Sequence, residues 1–194
     1  SVAGTDRGMS LYEVAEAAKD PANLPEGVEP GLDNEQNHNN EKPTFPNGCP
    51  ICEVEVDPQT GQVELLDYTV VDDFGVTLNP ILLEGQVHGG IVQGIGQAWH
   101  EHTVYDEENG QLLSGSFMDY QMPRAEDFPA IRFRTRNVRC TTNPLGVKGA
   151  GEAGAIGAPP AFVNAVRDAV DGKGNLEGLE MPLTPMKVWT ALHG

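Results

Sequence analysis

The glycine-rich stretch KGAGEAG, residues 148–154, places a single carboxylate, Glu152, in a backbone that is otherwise flexible or bare. It is preceded by NPLGV at 143–147 and followed by AIGAPP at 155–160, which leads into a helix predicted over residues 160–170. A carboxylate held in this way indicates either a chance likeness to a phosphate-binding loop or a catalytic base. Glu152 is therefore the first candidate functional residue.

Residues 149–154 also satisfy the G-x-G-x-x-G pattern of dinucleotide-binding loops. That fingerprint follows a buried strand directly and opens a helix at once. Here residues 141–144 intervene before the loop, and Pro159-Pro160 is expected to delay the helix after it. An acidic residue in the loop would also repel a pyrophosphate. The sequence therefore disfavours a nicotinamide-binding domain.

Two roles for Glu152 stay open on these residues alone. A helix dipole stabilises a nearby carboxylate as an anion, whereas burial against a cofactor disfavours the charge. The balance between the two effects suits a general base that abstracts a proton. The alternative is that Glu152 only caps the helix that follows it.

The composition limits the class of protein. The 194 residues include 29 acidic and 12 basic side chains, for a formal net charge of −17. A chain of this length forms one or two domains, since single domains contain about 100 to 200 residues. Nucleic acids and anionic membranes bind surfaces rich in Lys and Arg, so this charge disfavours both partners. Adaptation to high salt is an alternative explanation of the acidic excess.

The sequence has no run of about 20 apolar residues, which a transmembrane helix needs, and no N-terminal signal pattern. We therefore expect a cytoplasmic protein without a membrane span. The chain begins at Ser1 without an initiator methionine. This beginning favours a fragment, or a piece of a chain divided during maturation.

Three cysteines, Cys49, Cys52 and Cys140, do not form a disulfide framework and are typical of a reducing compartment. The first two make a C-x-x-C pair, which is compatible with a redox site or with half of a zinc site. A zinc site needs a second pair, and a redox pair is expected at the start of a helix, whereas Cys52 enters an alternating strand. The sequence favours a structural role for the pair.

The N-terminal region is predicted to contain one short helix and a long loop. SLYE at 10–13 is a capping-box pattern, and apolar residues at helical spacing predict a packed helix over residues 11–19. Residues 21–47 are rich in Pro, Gly, Asn, Asp and Glu and predict a loop. We therefore divide the chain into residues 1–48, a partner-wrapping segment, and residues 49–194.

Two hairpins and one further strand are predicted after the loop. Apolar and acidic residues alternate over 52–57, and a turn connects this strand to a return strand over 63–71. Asn109-Gly110 predicts a second hairpin over residues 104–113. Residues 131–138 alternate as in a strand. Hairpins mixed with helices, without a repeated strand-helix-strand order, predict an α+β fold with a mixed sheet packed against helices.

A helix is predicted from Pro80, with Asn79 as its N-cap, to about residue 100, and a last helix over residues 185–192. The first of these contains five glycines, each of which costs about 1 kcal/mol relative to alanine. The glycines are Gly85, Gly89, Gly90, Gly94 and Gly96. Interleaved glutamines favour the approach of a large ligand, but tight crossing over a neighbouring helix explains the glycines equally well.

Nine motifs follow one another in a fixed order: TFPNGC at 44–49, EVEVDP at 53–58, DDFG at 72–75, Asn79-Pro80, EGQVHGG at 84–90, QGIGQA at 93–98, GSFMDY at 115–120, PLGVKGAGE at 144–152 and PLTP at 182–185. This series resembles the molybdenum hydroxylase large subunit, the family of xanthine dehydrogenase, aldehyde oxidoreductase and aerobic carbon monoxide dehydrogenase. They extend over nearly the whole chain. The resemblance implies the C-terminal part of a molybdopterin-binding domain.

This resemblance implies a role for five residues. Glu152 matches the family's catalytic glutamate, the base that takes a proton from the oxygen that attacks the substrate carbon. Gln86 and Lys148 match positions that contact the pterin cofactor, and Gly149 and Gly151 match the close backbone approach to it. In this family the pterin dithiolene holds the metal, which implies no protein ligand to molybdenum and no ligand role for the nearby histidines, His88, His100 and His102.

The resemblance also implies the cofactors and partners. The cofactor is molybdopterin with molybdenum, in the cytosine dinucleotide form by analogy with bacterial relatives. The partners are the remainder of the large subunit, an iron–sulfur subunit with [2Fe-2S] clusters, an FAD subunit and a small-molecule substrate, an aldehyde or an N-heterocycle. The family's subunit is several times longer, so this chain cannot contain the whole active site. The alternative is a noncatalytic assembly subunit that keeps the fold.

Overall fold

The computed structural model describes residues 1–39 and 42–194 of the chain. The chain separates into two compact units, Ser1–Asn39 and Asn40–Gly194. Each unit has its own secondary structure. The partner-wrapping role expected for residues 1–48 stays a prediction.

The first unit contains helix α1, Leu11–Ala17, and a 3-10 turn, Pro21–Asn23. The helix begins with a capping box, as predicted, because the Ser10 hydroxyl accepts a hydrogen bond from the Glu13 amide at 3.2 Å and the Glu13 carboxylate accepts one from the Ser10 amide at 2.7 Å. Helix α1 buries none of its residues, and Leu11 is 76% exposed. The prediction of a packed helix is wrong, because none of the described residues covers its apolar stripe.

The loop predicted over residues 21–47 is confirmed for its described part. Apart from the 3-10 turn, residues 24–39 and 42–46 form no helix or strand. Residues 40 and 41 lie outside the described residues. The loop ends one residue earlier than predicted, because the first strand begins at Asn47.

The sheet of the second unit has the strand order β1-β2-β3. Strand β1, Asn47–Val56, pairs antiparallel with β2, Val63–Asp73, and β2 pairs parallel with β3, Arg132–Thr135. Asp57 shapes the hairpin turn, since its carboxylate accepts hydrogen bonds from the Gln59 amide at 2.9 Å and the Thr60 hydroxyl at 2.7 Å. The predicted first hairpin and mixed sheet are therefore confirmed.

Two other predicted β elements are shorter than expected. The hairpin over residues 104–113 is reduced to a single antiparallel bridge between Tyr105 and Leu112. Strand β3 ends before residue 138, because the chain turns away after Arg136 donates a backbone hydrogen bond to Asp72 at 2.8 Å.

Helix α2, Pro80–Trp99, begins as predicted, since the Asn79 side chain accepts a hydrogen bond from the Leu82 amide at 3.2 Å. Helix α4, Pro185–His193, also agrees with its prediction. No helix in the described part of the chain is long and apolar enough to cross a membrane.

Helix α3, Ala153–Val170, begins earlier than predicted and contains both Pro159 and Pro160. The expectation that these prolines delay the helix is wrong. The fixed φ of proline is compatible with a helix, and the penalty is a lost backbone hydrogen bond and crowding of the preceding turn. Burial of Phe162 and Val166 in the core offsets that penalty.

The core lies between the sheet and helices α2 and α3, and α4 adds residues at one end. Most of its deeply buried side chains belong to four elements: Tyr68 from β2, Val87, Ile91 and Ile95 from α2, Phe162, Val166 and Val170 from α3, and Val188 from α4. Phe74 and Leu183, which lie outside helices and strands, are buried as deeply. Each element contributes one apolar face, as expected for layered packing. The architecture is α+β, as the sequence predicts.

Candidate functional site

Glu152 occupies the N-cap position of helix α3 and is exposed. Its backbone carbonyl accepts hydrogen bonds from the Ala155 and Ile156 amides at 3.0 and 3.2 Å. Its side chain makes no capping hydrogen bond. Glu152 thus occupies the capping position, but its carboxylate takes no part in the cap and stands at the positive end of the helix dipole.

Gln86 connects helix α2 to the loop that carries Glu152. Its side-chain amide donates a hydrogen bond to the Gly151 carbonyl at 2.5 Å. The predicted cofactor contact thus lies beside the predicted base, although the two are far apart in sequence. The amide oxygen of Gln86 is a hydrogen-bond acceptor in addition to this donor.

Lys148 is held by an aspartate that the sequence analysis did not single out. Its ammonium lies 2.5 Å from Asp73 Oδ2, and both side chains are largely buried. Asp73 Oδ1 also accepts hydrogen bonds from the Gly75 and Val138 amides, each at 2.9 Å. Burial raises the pKa of Asp73, but the hydrogen bonds from Lys148, Val138 and Gly75 and the Lys148 charge outweigh it and bring the pKa to about 2.

The backbone of the loop is joined to the end of β2 as well. The Lys148 amide donates to the Phe74 carbonyl at 2.9 Å, and Gly75 forms an antiparallel bridge with Val147. Further along, the Gly149 amide donates to the Thr44 hydroxyl at 3.2 Å. These hydrogen bonds hold the start of the glycine-rich loop in place. Glu152 lies three residues after the last of them, at Gly149.

The turn before the loop depends on Asn143. Its side-chain oxygen accepts hydrogen bonds from the Gly146 and Val147 amides at 2.7 and 3.1 Å, and its nitrogen donates to the Val147 carbonyl at 2.9 Å. Gly146 has a φ of +73°, in the left-handed region that favours glycine. The Asn-Pro-Leu-Gly motif thus forms a turn that the Asn143 side chain and the φ of Gly146 stabilise.

Two groups can be distinguished among the glycines of helix α2 and of the glycine-rich loop. A Cβ atom added at Gly90 would lie 3.0 Å from the Ala155 nitrogen, and one at Gly94 would lie 3.0 Å from the Ala155 oxygen, so both glycines serve the crossing of α2 over α3. A Cβ atom added at four other glycines would meet no atom within 4 Å, and these have no positive φ: Gly85, Gly89, Gly149 and Gly151.

Neither backbone conformation nor contacts with the described residues explain this second group. The four glycines lie close in sequence to the two partners of the Gln86–Gly151 hydrogen bond, and all four are exposed. A bare surface of this kind fits a large polar ligand that approaches the backbone closely. Helix crossing therefore explains Gly90 and Gly94, whereas contacts among the described residues do not explain the four exposed glycines.

The histidines and cysteines make no metal cluster in residues 1–39 and 42–194, where no group of three or more His, Cys, Asp or Glu side chains is placed to hold an ion. His88 packs edge-on against Phe133, and His100 stacks on Trp99 with ring centroids 4.1 Å apart. Burial lowers the pKa of His100, and the charges of nearby acids offset this only in part. His100 therefore favours the neutral form.

Cys49 and Cys52 both lie on strand β1. Their odd spacing directs their side chains to opposite faces of the strand. Burial, assisted by the charge of Asp67, raises the pKa of Cys52 to about 12. A thiol of this kind is unreactive, so the pair does not form a redox site.

Comparisons with known proteins identify the family. The molybdopterin cofactor-binding domain family matches residues 1–129. The chain is 39% identical over 194 residues to the nicotine 6-hydroxylase large subunit of Paenarthrobacter nicotinovorans, an alignment that covers 100% of this chain and 24% of that protein. It is 38% identical over 196 residues to the 6-hydroxypseudooxynicotine dehydrogenase complex subunit gamma of the same organism, with the same coverage of 100% and 24%.

The fold comparison agrees. A crystal structure of the Cu,Mo-CO dehydrogenase superimposes with a TM-score of 0.84 at 32% identity, over 94% of this chain and 23% of that chain. The chain belongs to the molybdopterin cofactor-binding domain family. Its relatives are molybdenum-containing hydroxylases and dehydrogenases, and the resemblance of its motifs to their large subunits is confirmed.

The chain spans about a quarter of the length of the curated relatives that it matches, 24% in each case. The match to the cofactor-binding family ends at residue 129, before Glu152, whereas the two relatives align over the whole chain. The functional roles of the five predicted site residues are therefore proposals.

Proposed function

We propose that this chain forms part of the molybdenum-cofactor site of a larger oxidoreductase subunit, and that Glu152 is its general base. One observation carries the proposal: the Glu152 carboxylate is exposed and has no capping hydrogen bond, yet the loop that holds it is joined to α2 and β2. A positioned carboxylate without an internal partner suits proton transfer.

The molybdenum cofactor, when bound, supplies the two-electron oxidation of a substrate carbon with oxygen derived from water. Glu152 accepts the proton that this oxygen loses, at a carboxylate oxygen. Because Glu152 follows a bonded segment, the carboxylate needs little reorganisation to reach its working position.

Four other residues are proposed to bind or frame the cofactor. Gln86 offers its amide oxygen to the pterin, while its nitrogen holds the Gly151 carbonyl. Gly149 and Gly151 let the pterin approach the backbone, since no atom of the described residues occupies the space of their missing side chains. Lys148 is proposed to act through its backbone carbonyl, because its amide donates to the Phe74 carbonyl and its ammonium is engaged by Asp73.

The names of the relatives support a proposal for the substrate and the partners. The name of the nicotine 6-hydroxylase large subunit favours hydroxylation of an N-heterocycle carbon, with an aldehyde as the second substrate class. The terms large subunit and complex subunit gamma favour assembly with the remainder of a large subunit and with further chains. We include an iron–sulfur subunit, an FAD subunit and the cytosine dinucleotide form of the pterin in the proposal, in a cytoplasmic complex.

Replacement of Glu152 by glutamine in the complete complex tests the base. We expect unchanged molybdenum and pterin contents and a loss of turnover of about 10²-fold or more, because general base catalysis contributes about 10²- to 10⁴-fold. Turnover is measured as reduction of an artificial electron acceptor by a panel of N-heterocycles and aldehydes. Glu107→Gln, at an exposed glutamate in a turn, is the matched control.

Two outcomes would contradict this proposal. Full turnover in the Glu152→Gln complex would remove Glu152 as the base. A wild-type complex without molybdenum or pterin would instead favour the noncatalytic assembly subunit. The same preparation reports on the partners, through its flavin and iron contents, and on the nucleotide that the pterin releases on hydrolysis.

A further inference from the structure

A pocket of about 100 Å³ lies between the sheet and the first turns of helix α3. Its walls include Pro46, Gly48, Tyr68, Asp72, Gly154 and Gly157. Such a space exceeds what a single water molecule needs. It is large enough for the polar end of a side chain, and it borders the helix directly after Glu152.

Two buried residues with polar side chains, Tyr68 and Asp72, line this pocket. Asp72 is 6% exposed and Tyr68 is 1% exposed. Among the described residues, Asp72 Oδ2 has no hydrogen-bond partner. Burial raises the pKa of Asp72 to about 6 and also raises the pKa of Tyr68. The carboxylate is therefore poorly stabilised within this chain.

The sequence nevertheless makes room for this carboxylate. A Cβ atom added at Gly48 would lie 1.9 Å from Asp72 Oδ1, so only glycine fits beside it. The first amides of α3 border the same pocket, but none donates to Asp72 within the described residues. Buried carboxylates are almost always paired, because leaving one unpaired carries a large desolvation penalty.

We propose that a cationic side chain from the remainder of the large subunit inserts into this pocket and donates hydrogen bonds to Asp72 and Tyr68. This inference rests on the proposed function, in which the chain is part of a longer subunit. A carboxylate and a phenol oxygen are both acceptors, and the described residues that line the pocket include no Lys or Arg. Polypeptide beyond this chain can supply the donor, since the chain spans 24% of its relatives.

An arginine matches the two acceptors best. Its guanidinium carries five N–H donors in a planar fork, which pairs with a carboxylate and has donors left for a hydroxyl. The insertion would join the remainder of the subunit to the wall that Ala153 and Gly154 form next to Glu152. The contact would thus fix the position of Glu152 relative to the rest of the active site.

The direction in which Asp72→Asn changes the Tm of the complete complex tests the inference. A paired carboxylate has a lowered pKa in the folded state and stabilises it above pH 4, so Asp72→Asn should lower the Tm at pH 7.5 by about 5 °C or more. The difference should shrink as the pH falls below 4. Asp67→Asn is the control, because Asp67 already pairs with Arg132 inside this chain.

An unpaired carboxylate predicts the opposite sign. With its raised pKa it would destabilise the folded state at pH 7.5, so a Tm that rises or stays unchanged in Asp72→Asn would overturn the inference. A structure of the complex in which water, cofactor or an uncharged group fills the pocket would also overturn it, whereas an Arg or Lys nitrogen within about 3 Å of Asp72 would support it.

Molybdenum content separates this result from a failure of the proposed function, since a metal-loaded large subunit with an unpaired Asp72 contradicts the pocket inference alone.

Discussion

Asp73 and Lys148 form the contact on which the placement of the candidate base depends most. The two side chains are 14% and 12% exposed, and Asp73 accepts two backbone hydrogen bonds in addition to the one from Lys148. Removal of one member of a buried pair leaves the other charge without compensation. The pair therefore connects the stability of the site to the position of Glu152.

We expect Asp73→Asn to lower the free energy of unfolding by about 3 kcal/mol, because it leaves the Lys148 ammonium buried without a counter-charge. Denaturant titration measures the change. Asp67→Asn is the matched control. Its partner Arg132 is 68% exposed, so the loss there should stay within about 1 kcal/mol.

The pH dependence gives this prediction a second readout. Because the folded-state pKa of Asp73 is lowered to about 2, its stabilisation is fully present above pH 4 and disappears as the pH falls towards 2. The gap between the wild type and Asp73→Asn should therefore narrow at acidic pH. A constant gap from pH 7 to pH 2 would show that the ion pair does not cause it.

At the scale of the element, helix α2 uses adjacent glycines for different purposes. Gly90 contacts the backbone of α3, whereas Gly89 has no atom within 4 Å of an added Cβ. Glycine weakens a helix interior, so Gly89 is unfavourable unless something outside the described residues needs the space. The proposed cofactor is such a partner.

The variants Gly89→Ala and Gly90→Ala make a matched pair on neighbouring residues. Gly89→Ala should stabilise the protein by up to about 1 kcal/mol through helix propensity, and Gly90→Ala should destabilise it by about 1 to 3 kcal/mol through overpacking. In the complete complex, Gly89→Ala should lower the pterin content. An unchanged pterin content would show that this face does not contact the cofactor.

Helix α3 shows how packing overrides a local signal. Pro159 and Pro160 predict a late helix start, yet the helix begins at Ala153 and places Gly154 against α2, where an added Cβ would lie 2.3 Å from the Val87 oxygen. The close contact and the buried residues that follow compensate for the lost backbone hydrogen bond. The dinucleotide-binding alternative consequently fails on topology, because no parallel strand follows α3 in the described sheet.

At the scale of the whole molecule, the charge of −17 acts on the folded state through self-repulsion. Raising NaCl from about 0.01 M to 1 M shortens the Debye length from about 30 Å to about 3 Å. We expect the Tm to rise over this range, as measured by differential scanning calorimetry. KCl should raise the Tm in the same way if screening is the cause. A Tm that falls or does not change would show that charge repulsion does not significantly destabilise the folded state.

The sequence by itself determined the α+β class, the first hairpin, the start of α2 and the family, because these depend on short-range patterns and on motifs in a fixed order. Only the tertiary structure decided that Gln86 holds Gly151, 65 residues away, and that Lys148 pairs with Asp73, 75 residues away. It also decided which glycines are packed and which are open. Such contacts depend on how distant segments meet in space, and no local pattern in either segment records its partner.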